Sequence, residues 1–210
     1  MPGVDAVHVS VAPVAVMFDA VGLPGALGGV AAGPGGAPQT WRVPSPNSTP
    51  VMVTTLPGPA ATLKAQYKNN DSAPTDNQIK PGLTLVNGGT TSVSLSTVTI
   101  RYYFTAEAGS TAYNTWCDHA QIGCANLTLR VVPLATPVAG ADRYLEVGFT
   151  SGSVAAGASI GEIQCRFNKS DWSAFSETND YSYGTNTAFA DSTKVTVHVG
   201  GQLVWGTPPA

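Results

Sequence analysis

The stretch TVTIRYYF, residues 97–104, alternates polar and apolar side chains. Its apolar members are Val98, Ile100, Tyr102 and Phe104, so every second side chain falls on the same side of an extended chain. This period of two is typical of a β-strand that buries one face and exposes the other. The stretch therefore predicts one strand of a layered β-structure.

Similar patterns occur on both sides of this stretch. Just before it, Val93 and Leu95 alternate on the opposite parity, and this change of phase predicts a β-bulge at Ser96 and Thr97. Further strand patterns, separated by turn residues, cover 63–69, 80–87, 127–134, 143–150, 160–167, 195–199 and 203–205. No window of about 12 residues has a clean helical period. The chain is therefore predicted to be all-β, with its short strands forming a sandwich.

The first 62 residues differ in composition from the rest of the chain. They contain 10 of the 16 prolines but only three charged residues, and they have few large side chains. Such a segment cannot bury enough apolar area to offset the loss of chain entropy on folding. We therefore predict a disordered, Pro/Gly-rich leader and linker over residues 1–62 and one folded domain over residues 63–210.

Charge and hydropathy exclude several classes of partner. Charged residues make up 11% of the chain and the net charge is -3, which excludes a basic nucleic-acid-binding surface and a polybasic membrane anchor. The apolar stretch 11–36 is interrupted by Pro13, Asp19 and Pro24, whereas a membrane-spanning helix needs about 20 consecutive apolar residues. No Lys or Arg precedes Arg42, so no clear signal peptide is present.

The search for catalytic motifs is negative. Residues 157–161, GASIG, have the G-x-S-x-G pattern of a hydrolase nucleophile. They lie between two predicted strands rather than before a helix, and the one later histidine, His198, falls inside a predicted strand. The 13 acidic residues would permit a glycosidase carboxylate pair, but no large catalytic scaffold accompanies them. We therefore predict that the chain is not an enzyme.

The chain has three cysteines, which cannot all pair within one molecule. Cys117 and Cys124 are close enough in sequence to bridge a loop, and an extracellular location would favour that disulfide. The alternative is that all three are buried and reduced. Cys165 lies in the middle of a predicted strand and is expected to pack as a small buried thiol.

Seven segments in order along the chain carry a resemblance to a known family. They are LKAQYKN (63–69), TIRYYFT (99–105), WCDHA (116–120), DRYLEVGFT (142–150), EIQCRFNKSDWS (162–173), NDYSY (179–183) and LVWG (203–206). Through them the chain resembles a family 3 carbohydrate-binding module, the cellulose-binding module of scaffoldins and bacterial cellulases. The resemblance implies a nine-stranded antiparallel β-sandwich with jelly-roll topology and a flat strip that binds crystalline cellulose.

The resemblance also implies which residues form that strip. Asp118 and Arg166 would form an ion pair whose flat upper side lies under one sugar ring. His119 and Trp172 would stack on neighbouring sugars, because aromatic faces suit the C–H groups of a flat glucan chain. The family also has a Tyr in the following loop, whereas the loop here, residues 121–129, is shorter and contains no aromatic residue.

Two further sets of residues follow from the resemblance. Hydrogen-bonding anchors beside the strip would be Gln164, Asp71, Asn77 and Thr187. A structural Ca²⁺, which prefers hard oxygen ligands, would be held by Thr105, Glu107, Ser176, Asn179 and Asp180. The two tryptophans Trp116 and Trp205 are interpreted as core or structural residues.

Together these implications predict a secreted, non-catalytic module. It would bind crystalline cellulose, or a related β-glucan, and bring an attached or partner glycoside hydrolase to the polysaccharide. The missing loop aromatic leaves one alternative open, a structural module that packs on a catalytic domain and binds cellulose weakly or not at all. Four of the five strip positions are present, which favours the first interpretation.

Overall fold

The computed structural model describes residues 62–210 and, before them, 7–12, 15–20, 40–42 and 52–54. The chain divides into two units, Met1–Ala60 and Ala61–Ala210. In the first, β1 (Val7–Ala12) pairs with β2 (Ala15–Ala20), and β3 (Thr40–Arg42) pairs with β4 (Met52–Thr54). Residues 1–62 were predicted to be disordered. Apart from these four strands and residue 62, they lie outside the described residues.

The second unit is built from two five-stranded antiparallel sheets. The first sheet has the strand order β14-β5-β6-β13-β9. Its strands are β5 (Leu63–Asn69), β6 (Pro81–Asn87), β9 (Tyr113–Ala120), β13 (Ile163–Lys169) and β14 (Ala190–Asp191). The edge strands of this sheet are therefore β9 and β14, and β13 lies next to β9.

The second sheet has the strand order β10-β11-β8-β15-β16. Its strands are β8 (Val98–Phe104), β10 (Leu127–Val138), β11 (Ala141–Phe149), β15 (Val195–Val199) and β16 (Gln202–Trp205). A small ribbon pairs β7 (Val93–Ser94) with β12 (Ser153–Val154). The predicted antiparallel sandwich is confirmed, although residues 62–210 form twelve strands rather than nine.

Two details of the predicted strands are wrong. The change of phase before β8 is not a β-bulge but a single turn of 3-10 helix, Leu95–Thr97, which buries Leu95 and exposes its two neighbours. The strand predicted over 160–167 instead covers Ile163–Lys169, because residues 157–161 form a loop that lies against β6. In that loop the Ser159 hydroxyl bonds to Thr84, while His198 lies on the other sheet.

Aromatic and branched side chains from both sheets fill the space between them. Phe104 of β8 lies 4.7 Å from Phe167 of β13, ring centre to ring centre, and both contact Phe175 from the following loop. Burial of such rings is the main favourable contribution to folding. Cys165 lies in the same core as a buried free thiol, as predicted.

The Cys117 and Cys124 side chains form a disulfide across seven positions of the sequence. The bond joins β9 to the short 3-10 turn Cys124–Asn126 and so constrains the loop between β9 and β10. Three 3-10 turns are the helical segments of the described residues, and none is long and apolar enough to cross a membrane.

His198 makes the stability of the sandwich depend on pH. It lies in β15, 7% exposed, and burial lowers its pKa from 6.5 to about 4, with Arg101 adding to the effect and Glu146 opposing it. In the unfolded chain this side chain takes up a proton near pH 6.5, whereas in the folded chain it stays neutral down to about pH 4. The unfolded state therefore binds more protons between these values, and stability falls as the pH decreases.

We expect His198→Gln to remove this dependence. Between pH 7 and pH 4.5 the wild type should lose about 1–3 kcal/mol more unfolding free energy than the variant, measured by urea denaturation. Comparing the two proteins cancels the contribution of Glu177 and Asp180, whose raised pKa values act in the opposite direction. The same pH dependence in both proteins would contradict the assignment to His198.

Reduction of the disulfide should destabilise the unit by about 2–3 kcal/mol, the chain-entropy value for so short a loop. Urea denaturation with and without dithiothreitol measures the difference. The double variant Cys117→Ala/Cys124→Ala is the control. Its unfolding free energy should equal that of the reduced wild type and should not change when dithiothreitol is added. An unchanged midpoint on reduction of the wild type would count against the cross-link.

Candidate binding face

The edge strand β9 carries a one-residue bulge opposite β13. In the ladder His119 pairs with Gln164 and Cys117 pairs with Cys165, so the residue between them, Asp118, has no partner. A bulge of this kind shifts the alternation of side chains by one position. As a result Asp118 and His119 are both exposed, although they are consecutive, and Ala120 is buried.

The bulge brings Asp118 against Arg166 of β13. The Arg166 Nε lies 2.9 Å from both carboxylate oxygens, and the two side chains are 31% and 43% exposed for Arg166 and Asp118. The guanidinium also lies over the ring of Trp116, with 4.6 Å between the Cζ atom and the ring centre. The two charges therefore balance each other locally on the outer face of the first sheet.

Trp172 extends this surface from the turn that follows β13. It is 50% exposed and has a positive φ of 59°, which is unfavourable for any residue except glycine. The backbone N–H of Trp172 donates to the Lys169 carbonyl at 2.9 Å. The Asp171 carboxylate accepts from the backbone N–H groups of Ser110 and Ser173. These bonds hold the backbone at Trp172 in a conformation that the chain would not otherwise favour.

Trp116 and Trp172 stack on each other. Their ring centres are 6.4 Å apart and their planes differ by 28°. Of the two interpretations of Trp116, core or structural, the structure excludes the first, because its half-buried ring lies on the outer face, directly opposite Arg166 in the ladder. Trp205 does have a structural contact, since its Nε1 donates to the Ser192 carbonyl.

On the other side of His119, a row of polar side chains crosses the sheet. Gln164 donates from Nε2 to Glu162 at 2.9 Å, and the same Glu162 oxygen lies 2.7 Å from the Lys68 ammonium. The bond to Lys68 holds the pKa of Glu162 below its ordinary value, with partial burial opposing the effect and Gln164 adding to it. Because the amide nitrogen of Gln164 is engaged, its carbonyl oxygen is left to accept bonds from a ligand.

Gly82 makes this row of contacts possible. It lies between Lys68 and Gln164 in the ladder, and a Cβ at this position would approach Lys68 Cγ to 2.7 Å. Contacts this short do not occur, so a larger residue would displace the lysine chain. The absence of a side chain on Gly82 therefore lets Lys68 extend across β6 to reach Glu162.

The other predicted anchors lie near the end of β5. Asn77 and Thr187 are exposed, and the residue beside Thr187, Asn186, donates to the Tyr67 carbonyl. Asp71 differs from the prediction, since its carboxylate bonds to Lys80 and to the Ala73 N–H and is only 7% exposed. It therefore stabilises its own loop rather than offering a free group to a ligand.

The residues predicted to hold calcium surround Asp180. One Asp180 oxygen accepts from the N–H and the hydroxyl of Thr105, each at 2.7 Å. The same hydroxyl lies 2.9 Å from Glu107, yet it has one proton and can donate to one of the two carboxylates only. Asn179 also contacts this hydroxyl, at 3.2 Å, whereas the Ser176 side chain faces Thr178 instead.

Asp180 has an electrostatic environment that a cation would relieve. Its second oxygen, Oδ2, is buried without a hydrogen-bond partner among the described residues. Burial raises the pKa of Asp180 to about 8, Thr105 opposes this, and Glu107 and Asp142 add to it. Asp142, which sequence reasoning missed, accepts from the Ala106 N–H beside the site. Within the described residues no group of three or more His, Cys, Asp or Glu has metal-site geometry, so further ligands would be hydroxyl, amide or backbone oxygens.

Comparison with known proteins is consistent with this geometry. A family model described as a cellulose binding domain matches residues 64–206. The β-mannanase/endoglucanase A of Caldicellulosiruptor saccharolyticus is 44% identical over 157 residues, which are 73% of this chain and 12% of that protein. An "uncharacterized protein in celA 5'region" of Paenibacillus lautus is 48% identical over 147 residues, 69% of this chain and 99% of that protein.

Solved structures give the same result. The CBM3b module of the scaffoldin subunit ScaA from Acetivibrio cellulolyticus superposes with a TM-score of 0.68 and 35% identity, covering 72% of this chain and 100% of that one. The present chain thus matches a whole module but only a small part of the multidomain relative named above. Through residues 64–206 the chain belongs to the cellulose-binding domain family, whose solved members are family 3 carbohydrate-binding modules.

Proposed function

We propose that this protein binds crystalline cellulose through the outer face of its first sheet and has no catalytic role. One observation carries the proposal: the Asp118–Arg166 pair and His119 lie on β9 and β13, and the exposed Trp172, in the turn after β13, stacks on the Trp116 ring that Arg166 also contacts. We call Asp118, His119, Arg166 and Trp172 the strip. Three of the four residues lie on neighbouring strands of one sheet, and this placement supports binding to a flat solid rather than in a pocket.

The chemistry of the strip fits an uncharged glucan chain. Sugar rings present C–H groups on their faces and hydroxyls at their edges. The Trp172 indole would stack on C–H groups, and a stack of this kind contributes about 0.5–1.5 kcal/mol beyond area burial. The Gln164 oxygen would accept a bond from a hydroxyl at the chain edge, and the neutral ion pair would serve as a second flat platform.

We further propose that binding serves to concentrate a glycoside hydrolase on the polysaccharide. A relative with this module is a β-mannanase/endoglucanase, and the Pro-rich segment before residue 63 has the composition of a semi-rigid tether. A tethered enzyme meets the surface repeatedly, so its effective concentration there is high. The disulfide and the insoluble ligand both favour an extracellular location.

Removal of the Trp172 indole should weaken adsorption to microcrystalline cellulose. We expect Trp172→Ala to raise Kd on the order of tenfold, because one aromatic stack is lost. Adsorption isotherms of the purified chain measure this. The matched control is Leu203→Ala, which removes the other large exposed hydrophobic side chain of the described residues, on the second sheet, and should leave Kd unchanged.

The isotherms also separate cellulose binding from the alternative role. A wild-type protein that stays in solution with microcrystalline cellulose would overturn the proposal and favour a structural module that packs on a catalytic domain. An equal loss of affinity in both variants would indicate nonspecific hydrophobic adsorption. Release of reducing sugar by the purified chain would contradict the absence of catalysis.

We also propose that Ca²⁺ is a structural ligand at Asp180. Thr105, Glu107 and Asp180 would hold it, since their oxygens converge and the buried Asp180 Oδ2 lacks a partner among the described residues. Asn179, whose amide nitrogen donates to the Thr105 hydroxyl, would add its side-chain or backbone oxygen. Ser176 would contribute through its backbone carbonyl, because its hydroxyl faces Thr178. The ion would neutralise carboxylates that otherwise repel one another, and so stabilise the end of the sandwich.

Calcium should raise the thermal stability of the protein. At a hundredfold excess over Kd, binding adds about 2.7 kcal/mol, which corresponds to a Tm increase of roughly 5–10 °C for a unit of this size. Calorimetry with CaCl₂, MgCl₂ or EDTA measures the shift, which Asp180→Asn should abolish. The control Asp191→Asn removes an exposed carboxylate paired with Lys64 and should keep it. A Tm independent of calcium would contradict the site.

A further inference from the structure

Trp116 contacts two members of the strip at once. It faces Arg166 directly across the β9–β13 ladder, and the guanidinium lies over its ring with 4.6 Å between the Cζ atom and the ring centre. The Trp172 indole also stacks on it, with 6.4 Å between the ring centres and 28° between the ring planes. The half-buried Trp116 ring therefore lies between the ion-pair platform and the exposed aromatic platform.

Neither platform is well fixed by its remaining contacts. An ion pair as exposed as Asp118–Arg166 contributes little and leaves the arginine free to sample other rotamers. The Trp172 side chain is 50% exposed and its turn constrains the backbone rather than the ring. A cation–π contact and an aromatic stack on the same indole would restrict both groups.

We propose that Trp116 is a positioning residue for cellulose binding. Its indole fixes the plane of the Arg166 guanidinium and the orientation of Trp172, so that their outer sides form one level surface before the ligand arrives. The gain is entropic, because side chains already ordered lose less freedom when they bind a solid. This inference rests on the proposed cellulose binding. Trp116 would not contact the ligand itself but would order Arg166 and Trp172, which would contact it.

The first test compares the full-length wild-type chain with three single variants. Trp116→Leu should raise Kd on microcrystalline cellulose about five- to tenfold, whereas Trp116→Phe, which keeps a ring beneath the guanidinium, should restore most of the affinity. The matched control is Trp205→Leu, which removes a half-buried indole from the second sheet and should not change Kd. Urea denaturation of each protein shows whether it is folded under the conditions of the isotherms.

Two further measurements report on positioning itself. The stacked indoles should give a coupled circular dichroism signal without cellulose, which is lost in Trp116→Leu and Trp172→Ala and kept in Trp205→Leu. In a double-mutant cycle, Trp116→Leu and Arg166→Gln should be non-additive in Kd by at least about threefold, as residues in contact are. If Trp116→Leu does not fold, Trp116→Met, which removes the ring but keeps an apolar side chain, takes its place in the isotherms, the spectrum and the cycle.

The outcomes distinguish the two proposals. Wild-type affinity in Trp116→Leu, together with weakened binding in Trp172→Ala, would overturn the role of Trp116 and leave cellulose binding intact. Additive effects in the cycle would overturn it as well. Failure of the wild type to bind cellulose would overturn the proposed function and this role with it, even if the spectrum shows the stacked indoles.

Discussion

The binding face depends on one backbone irregularity, the extra residue at Asp118 in the ladder between β9 and β13. In a regular strand, alternation would put Trp116 and Asp118 outside and turn His119 toward the core. The bulge instead leaves Asp118 and His119 both exposed and returns Ala120 to the interior. Bulges commonly re-aim side chains at functional sites, and here a single unpaired residue sets which groups meet Arg166. The adjacent disulfide at Cys117 holds the following loop against this strand.

Backbone strain is located at the two sites that we propose to be functional. Among the described residues, the non-glycine residues with positive φ are Trp172, on the strip, and Glu107, beside Asp180. Each such conformation costs about 1–2 kcal/mol and persists only where neighbouring contacts enforce it. At Trp172 those contacts are the Lys169 carbonyl and the Asp171 carboxylate. A backbone conformation that is already fixed in the free protein loses no further entropy on binding, and this favours binding to a rigid solid.

The parts of the structure that follow regular periods could be predicted from the sequence. The β8 strand, Val98–Phe104, covers nearly all of the stretch 97–104 whose alternation predicted it, although Tyr103, on the face predicted to be exposed, is buried against Thr196. The β9 strand was not apparent from alternation, because the bulge at Asp118 interrupts the pattern where the function lies. Trp116 was misplaced for the same reason, and a cation–π contact across a ladder cannot be inferred before the register is known. The burial of Asp71 depends on a loop contact with Lys80, which has no signature in spacing.

Charges are arranged differently on the two proposed sites. The outer face of the first sheet carries three ion pairs, Lys64–Asp191, Lys68–Glu162 and Arg166–Asp118, so its charges cancel locally. An uncharged polymer gains nothing from a net field, and unpaired charges there would lose hydration without compensation. By contrast, Asp180 lies close to two further carboxylates, Glu107 and Asp142, which add to the burial that raises its pKa. A chain with only 11% charged residues thus pairs them where a neutral surface must dock and gathers acidic ones where a cation would be bound.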